Sequence, residues 1–467
     1  SYETQDLIRK EVGESQAEVM SIGPAGENMV PSALVAAGPN HSASHGSGAV
    51  FGSKNLKAIA VFGSRKVPVR DGERLAAAGL QWRNKVRVYN YPQERQDAGY
   101  ARILGTIIYK NFQSTVFPGA SQDFEKQEYT PRPCYECNKQ CPYDVRITTG
   151  KHAGYTATFN GGSEQLEAFY SLGIGGTDVF YLTDLLNRQG IDGCHFGCGA
   201  GIAFEAYEKG LITTKDTDGL ELKWGDAEVV EKLIYKVSKK EGRLGNLLAE
   251  GPKVLAEAIG PEAVKMAVHI KGGAPALHDW RPYTTQMLGQ MTTTGGGKPR
   301  FQGFEVGPWP ELGYPEKTHN LESKEGKARE SFIGGLFRIT AGCGGACWFG
   351  CSGVTISEYV DAVAAATGWS DLTKEEVLDV GERTWQMEHL FHLRYGWTPQ
   401  EDIKNVGPRF LEPIPDGNFK GFGIAKFLPD LFLDFYRECG WDTSTGKPTL
   451  ITLKRLNLGD YSFLAAK

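Results

Sequence analysis

The chain has 467 residues, enough for two or three domains. Hydrophobic residues make up 40% and charged residues 23%, the balance of a globular protein with sizeable cores. A net charge of −5 gives no support for a nucleic-acid partner, and no apolar run reaches the length of a membrane span.

The first residues, SYETQDLIRKEVGES, lack the basic-then-apolar pattern of a secretory signal, and the start at Ser1 points to missing upstream sequence. Residues 1 to about 64 read as α/β. A short helix centred on Asp6 to Lys10 leads to a strand near Val19-Met20-Ser21-Ile22, and Gly23-Pro24-Ala25-Gly26 breaks it. A second strand, Ala58 to Phe62, ends at Gly63. Two or three short strands cannot bury a sheet face alone, so partner strands are expected from elsewhere. From about 65 the pattern turns helical. Asp226 opens a helix with Val229, Val230, Leu233 and Val237 on one face, closed by Gly242. Ser357 opens another, with Tyr359, Val360, Val363 and Ala366 inward and Gly368 at its end. Val377, Val380, Thr384, Met387 and Phe391 mark a third. Stretches rich in Pro and Gly near 272–282 and 295–315 read as an inter-domain passage with long loops.

Nine cysteines, an odd number and clustered, suit metal ligation in a reducing compartment better than a disulfide framework. Three stand in Cys134-Tyr135-Glu136-Cys137-Asn138-Lys139-Gln140-Cys141-Pro142. A two-residue gap lets two thiolates reach one centre, and a longer gap with a proline bend brings the third round. A cubane iron–sulfur cluster needs four such thiolates, a structural zinc takes a similar set, and buried thiols stand behind both. Gly295-Gly296-Gly297-Lys298 lacks the Ser/Thr of a phosphate loop. His389 and His392, among Arg383, Glu388 and Arg394, read as a solvated or salt-bridged helix. Asp192-Gly193-Cys194-His195 with Cys198 reads either as metal ligands or as a buried loop.

Ser21 to Val30 (SIGPAGENMV) and Gly48 to Ala58 (GAVFGSKNLKA) resemble signatures of the tungsten-containing aldehyde ferredoxin oxidoreductase family. The C-x2-C-x3-C at Cys134, Cys137 and Cys141 follows them in the family's order. Glu167 to Gly173, Glu205 to Gly210, Ala365 to Trp369 and Gly381 to Arg383 continue the match, which spans most of the chain. About the first quarter of a typical member has no counterpart.

The resemblance implies an α+β fold. Residues 1–64 would be the remnant of the cofactor-binding β domain. Two mainly helical domains would follow, 65–270 with three cluster cysteines and 271–467 with the fourth. It implies a [4Fe–4S] cluster on Cys134, Cys137, Cys141 and Cys347, the last from Gly342-Cys343-Gly344-Gly345-Ala346-Cys347, where Gly342 replaces the family's aspartate. It implies tungsten, with molybdenum as the alternative, between two pterins held at Asn187 and Asp192. Magnesium would bridge their phosphates at the carbonyl of Ser42. Glu167 matches the glutamate beside the metal and is the expected catalytic group, without a secure histidine partner. The family's Arg-Gly-Gly-x-His falls on Gly295 to Pro299, and His319 reads as solvent-facing. Tyr181 and Asp184 replace an E-x-x-H iron site, so no iron is expected there. Cys194, Cys198, Cys343 and Cys351 would lie near the cofactor as buried thiols, or as a tungsten ligand or second metal site, and Cys439 reads as inert.

The implied activity is oxidation of an aldehyde to a carboxylate, with electrons passing to ferredoxin or a ferredoxin-like iron–sulfur subunit in an oligomeric, cytoplasmic, anaerobic setting. The remaining cofactor-domain strands would come from a missing or separate N-terminal segment. Low-potential reduction of an aromatic acyl-CoA is the alternative reaction. A non-catalytic electron-transfer or scaffold subunit is the alternative of another class.

Overall fold

The computed structural model describes residues 1–38, 41–86, 107–117, 119, 124–137, 141–159, 164–293, 323–347, 349–351 and 353–464. The glycine run at 295–297, Lys298, Pro299 and His319 lie outside them.

Helix α1 (Tyr2–Val12) stops at Gly13, whose left-handed backbone returns its N–H to the carbonyls of Arg9 and Lys10. Strand β1 (Glu18–Ile22) buries Val19, Ser21 and Ile22. The segment that breaks it is a one-turn helix, α2 (Pro24–Glu27), with proline in the first turn, where its missing N–H costs nothing. Strands β2 (Val35–Ala37) and β3 (His41–Ala43), helix α3 (Ser47–Ser53) and strand β4 (Ala58–Val61) complete the unit. The sheet is antiparallel in the order β3-β2-β1-β4, with Met20 opposite Ala37 on one side and Ile59 on the other. Here α2 and α3 meet backbone to backbone, so a side chain at Gly52 would overlap the carbonyl of Gly26. That contact is why the two matched segments need small residues there.

Beyond Gly63 the chain is not purely helical. After α4 (Gly72–Lys85) comes a second antiparallel sheet of β5 (Glu128–Pro131), β6 (Tyr143–Arg146) and β7 (Thr156–Phe159). Its strands are four residues each, too short to leave a clear period in the sequence. Then follow α5 (Glu164–Tyr170), α6 (Asp178–Gln189), α7 (Gly193–Glu208), α8 (Ala227–Lys239), α9 (Gly242–Glu250) and α10 (Pro252–Ile259). Later come α11 (Thr284–Thr292), α12 (Lys327–Cys343), α13 (Ile356–Thr367), α14 (Lys374–Arg394) and α15 (Leu428–Glu438).

Several boundaries and faces differ from the sequence expectation. Asp226 caps α8 through the amides of Glu228 and Val229, as its position suggests. The helix ends at Lys240 in a left-handed conformation, however, and Gly242 begins α9. Helix α13 is opened by Thr355 rather than Ser357, because Thr355 and Glu358 form a reciprocal capping box. The buried face of α14 is Val377, Gly381, Trp385, Gln386 and His389, while Phe391 is exposed. His389 is not on a solvated face: its ring stacks on Trp441 at 3.5 Å, and burial holds its pKa down at about 3. The largest buried cluster runs from Ala25 to Trp441 and draws on all three expected segments.

Candidate functional site

The cysteine triplet lies on the connection between β5 and β6, which starts and ends side by side because Pro131 pairs with Tyr143. Glu136 takes a left-handed φ of 52° between the first two thiols, and the amide of Cys137 donates to the carbonyl of Cys134 at 3.0 Å, which closes a tight turn there. The Cys134 thiol is pushed up to about 11, first by burial and then by Cys141, Cys137 and Cys347. Cys347, more than two hundred residues further along the chain, therefore belongs to the same electrostatic neighbourhood as the triplet. Cys347 follows α12 in an exposed turn, and Gly344 brings that turn against the hydroxyl of Tyr359. Cys351, buried nearby, is raised to about 12 by burial and then by Cys347.

Among the described residues no three His, Cys, Asp or Glu side chains converge closely enough to hold a single metal ion. A tetrahedral zinc site needs four donors within about 2.3 Å of one point. A cubane spreads its thiolates wider, because its own iron and sulfide lie between them. Both chemistries draw on the same donor type, a set of four cysteine thiolates. The ring of Tyr135, 96% exposed, puts this group at the protein surface.

The second cluster of matched residues sits where the N-terminal sheet meets the junction of α6 and α7. A side chain at Gly23 would come within 2.6 Å of the carbonyl oxygen of Gln189. Gly190, with φ 78°, ends α6 and accepts the amide of Leu34 at 2.9 Å. Asn187 and Asp192 are both buried here. Asp192 caps α7, accepting the amides of Cys194 at 2.9 Å and His195 at 3.4 Å. The Asp192 to Cys198 stretch is thus a helix start, not a loop. Cys194 and Cys198 lie one turn apart inside that helix, and burial, then Cys194 and Asp192, drive the Cys198 thiol well above its ordinary value. Ser42 is exposed on the edge strand β3.

At the E-x-x-H positions, Tyr181 stacks on His152 at 3.9 Å and donates to Glu231 at 2.8 Å. Asp184 accepts from Tyr155, from the amide of Thr158 and from Arg188.

Glu167, on α5, is 0% exposed, and its Oε1 lies 2.6 Å from Nδ1 of His278. The expectation of a carboxylate without a basic neighbour is therefore corrected. His278 lies in the Pro/Gly-rich stretch 272–282 that reads as a passage between domains. The missed signal was its company: His278, Asp279, Trp280 and Arg281 are all buried, and a run dense in ionisable and aromatic residues is unlike a linker. Gly197 of α7 brings the two segments together. A side chain there would stand 2.9 Å from the Cα of Ala168 and 2.9 Å from Cδ1 of Leu277, the neighbours of Glu167 and His278.

A strained turn braces both segments. Lys110, Asn111 and Phe112 have successive φ values of 46°, 52° and 63°, a run of left-handed residues that only strong surroundings hold. The amide of Asn111 donates to the carbonyl of Ser171 at 3.1 Å, just beyond α5. The carbonyl of Phe112 accepts from Arg281 at 3.3 Å, while Arg281 pairs with Asp279 at 2.6 Å. Arg409 holds the carbonyl of Asn111 at 3.0 Å and Glu205 at 3.0 Å. Glu205 therefore serves this brace.

Two family profiles match the chain: "Aldehyde ferredoxin oxidoreductase, N-terminal domain" over residues 1–63, and "Aldehyde ferredoxin oxidoreductase, domains 2 & 3" over residues 99–458. The tungsten-containing aldehyde ferredoxin oxidoreductase of Pyrococcus furiosus is 33% identical over 98% of this chain and 76% of its own length. Its counterpart from Thermococcus kodakarensis is 32% identical over the same shares. A WOR-like subunit of an aliphatic sulfonate oxidoreductase from P. furiosus is 26% identical over 94% of this chain and 70% of its own. Among solved structures, the active-site complex BamBC of benzoyl coenzyme A reductase, with 1,5-dienoyl-CoA, covers 99% of this chain and 76% of its own at a TM-score of 0.80 and 22% identity. No helix among the described residues is long and apolar enough to cross a membrane.

Proposed function

Because the chain belongs to the aldehyde ferredoxin oxidoreductase family, we propose that it is a tungsten–pterin oxidoreductase subunit that converts an aldehyde and water to a carboxylate, three protons and two electrons. The observation that carries this reading is the buried contact of Glu167 with His278 at 2.6 Å. A carboxylate and an imidazole in contact, away from bulk water, form a pair able to hold and pass on a proton released at a neighbouring centre. Tungsten between two pterins would supply the two-electron redox chemistry, and a [4Fe–4S] cluster the one-electron exit. Asn187, Asp192 and the carbonyl of Ser42 are the groups assigned to the pterins and their magnesium. Cys134, Cys137, Cys141 and Cys347 are assigned to the cluster.

Glu167 Oε1 accepts a proton and His278 Nδ1 shares it. The Asp279–Arg281 pair holds the imidazole loop in place. The surface position of the cysteine loop suits transfer of single electrons to an iron–sulfur protein. Metal analysis of the purified chain tests the reading first: tungsten or molybdenum with pterin supports an enzyme, and iron alone supports an electron-transfer or scaffold subunit. The Glu167→Gln protein should keep its metals and lose most turnover of aldehydes. A second reading, reduction of an aromatic acyl-CoA thioester, is favoured by the fold likeness to the benzoyl coenzyme A reductase complex. Assaying both substrate classes on the same preparation separates them.

A further inference from the structure

Helix α11 carries a buried polar face that is left largely unbonded among the described residues. Gln286 and Gln290 lie one turn apart, at positions i and i+4, and therefore on the same side of the helix. They are 1% and 0% exposed. Helix α11 also packs on α12, where Ser331 donates to the carbonyl of Thr285 at 3.3 Å. The glutamine side faces the loop that carries His278, because Oε1 of Gln290 accepts the amide of Ala276 at 3.1 Å. Among the described residues, that one bond leaves Nε2 of Gln290 and both Nε2 and Oε1 of Gln286 buried without a partner. A buried carboxamide that bonds nothing is a steep cost, and methionine or leucine would fill the same space without it. Such a group calls for a reason to be kept, and a ligand-binding role supplies one.

We propose that Gln286 and Gln290 form a carboxamide subsite that hydrogen-bonds the oxygen of a carbonyl substrate beside the Glu167–His278 pair. The inference rests on the oxidoreductase reading and narrows it to substrates presenting a carbonyl oxygen. The chemistry matches: a carbonyl oxygen has two lone pairs and no proton, and the face offers two N–H2 donors. Amide donors also suit this place because they carry no charge of their own, so they hold the oxygen without disturbing the neighbouring acid–base pair.

The test uses the full chain with its metals and two probes, acetophenone and ethylbenzene, a ketone that cannot be oxidised to a carboxylate directly and its deoxygenated counterpart. Calorimetric titration is expected to show acetophenone binding about tenfold more tightly, the worth of one or two good hydrogen bonds. Gln286→Met, which keeps the volume and removes one of the two donors, should lower that ratio about threefold or more and leave ethylbenzene binding unchanged. The same substitution should raise the melting temperature of the unliganded protein, because it removes an unsatisfied buried group. An unchanged ratio in Gln286→Met, equal binding of the two probes by the unaltered chain, or a lower melting temperature would overturn the subsite. Acetophenone binding does not depend on turnover, so its loss is read separately from the loss of aldehyde oxidation in Glu167→Gln.

Discussion

Consider a double-substitution cycle on Glu167 and His278. The two side chains are 0% and 6% exposed and their atoms are 2.6 Å apart. Removing one partner of such a buried pair costs about 3–5 kcal/mol, because an ionisable contact is lost out of reach of bulk water. At an unfolding entropy of about 2.1 cal/mol/K per residue, a chain of 467 residues unfolding as a unit has about 1 kcal/mol/K, so His278→Leu should lower the melting temperature by about 3–5 °C. Glu167→Gln retains the shape and should cost less. In the double variant, Glu167→Gln with His278→Leu, neither ionisable group remains, and the loss should fall short of the sum of the single losses by about 1–3 kcal/mol. The assay is calorimetric or denaturant unfolding of the four proteins, with turnover measured in parallel. Each single variant should lose about 10²–10⁴ in turnover, and the double variant little more. Stability losses that add within about 0.5 kcal/mol would refute the coupling and, with it, the shared proton.

Cys347→Ser should lower iron content and abolish or convert the cluster's electron paramagnetic resonance signal, since a hard oxygen donor suits iron–sulfur centres poorly. An unchanged signal moves the fourth ligand to Cys343 or Cys351. Burial holds His389 at about 3 and His269 at about 4, each below the ordinary value of 6.5. The unfolded chain binds protons that the folded chain refuses. Stability is therefore full above pH 6.5 and falls toward pH 4 by about 1.4 kcal/mol per pH unit for each histidine. His389→Gln should roughly halve that slope in denaturant titrations between pH 6.5 and 4, and an unaltered slope would clear His389. Gly52→Ala forces α2 away from α3, as its new Cβ meets the backbone of Gly26, and should cost about 1–3 kcal/mol by urea midpoint.

The sequence by itself determined the family, from motifs held in order along nearly the whole chain. It also determined the cysteine triplet, because a C-x2-C-x3-C run acts within one loop and needs no distant information. Helix starts and stops marked by caps, as at Asp226 and Gly368, were legible for the same reason: one turn of helix decides them. Thr355 was as local, yet the neighbouring Ser357 is the stronger compositional lure, and only the reciprocal bond with Glu358 settles the choice. The second sheet and the buried face of α14 were not legible. Strands of four residues leave too short a pattern, and which side of a helix is buried depends on what packs there, here Trp441 against His389. Tertiary structure alone brought His278 to Glu167, across 111 positions of sequence. It also brought Cys347 into the neighbourhood of Cys134 and, among the described residues, left the carboxamide of Gln286 buried without a partner. Sequence patterns record forces that act along a few residues of chain, whereas these encounters are fixed by the close packing of α5, α7 and the His278 loop around a residue as small as Gly197.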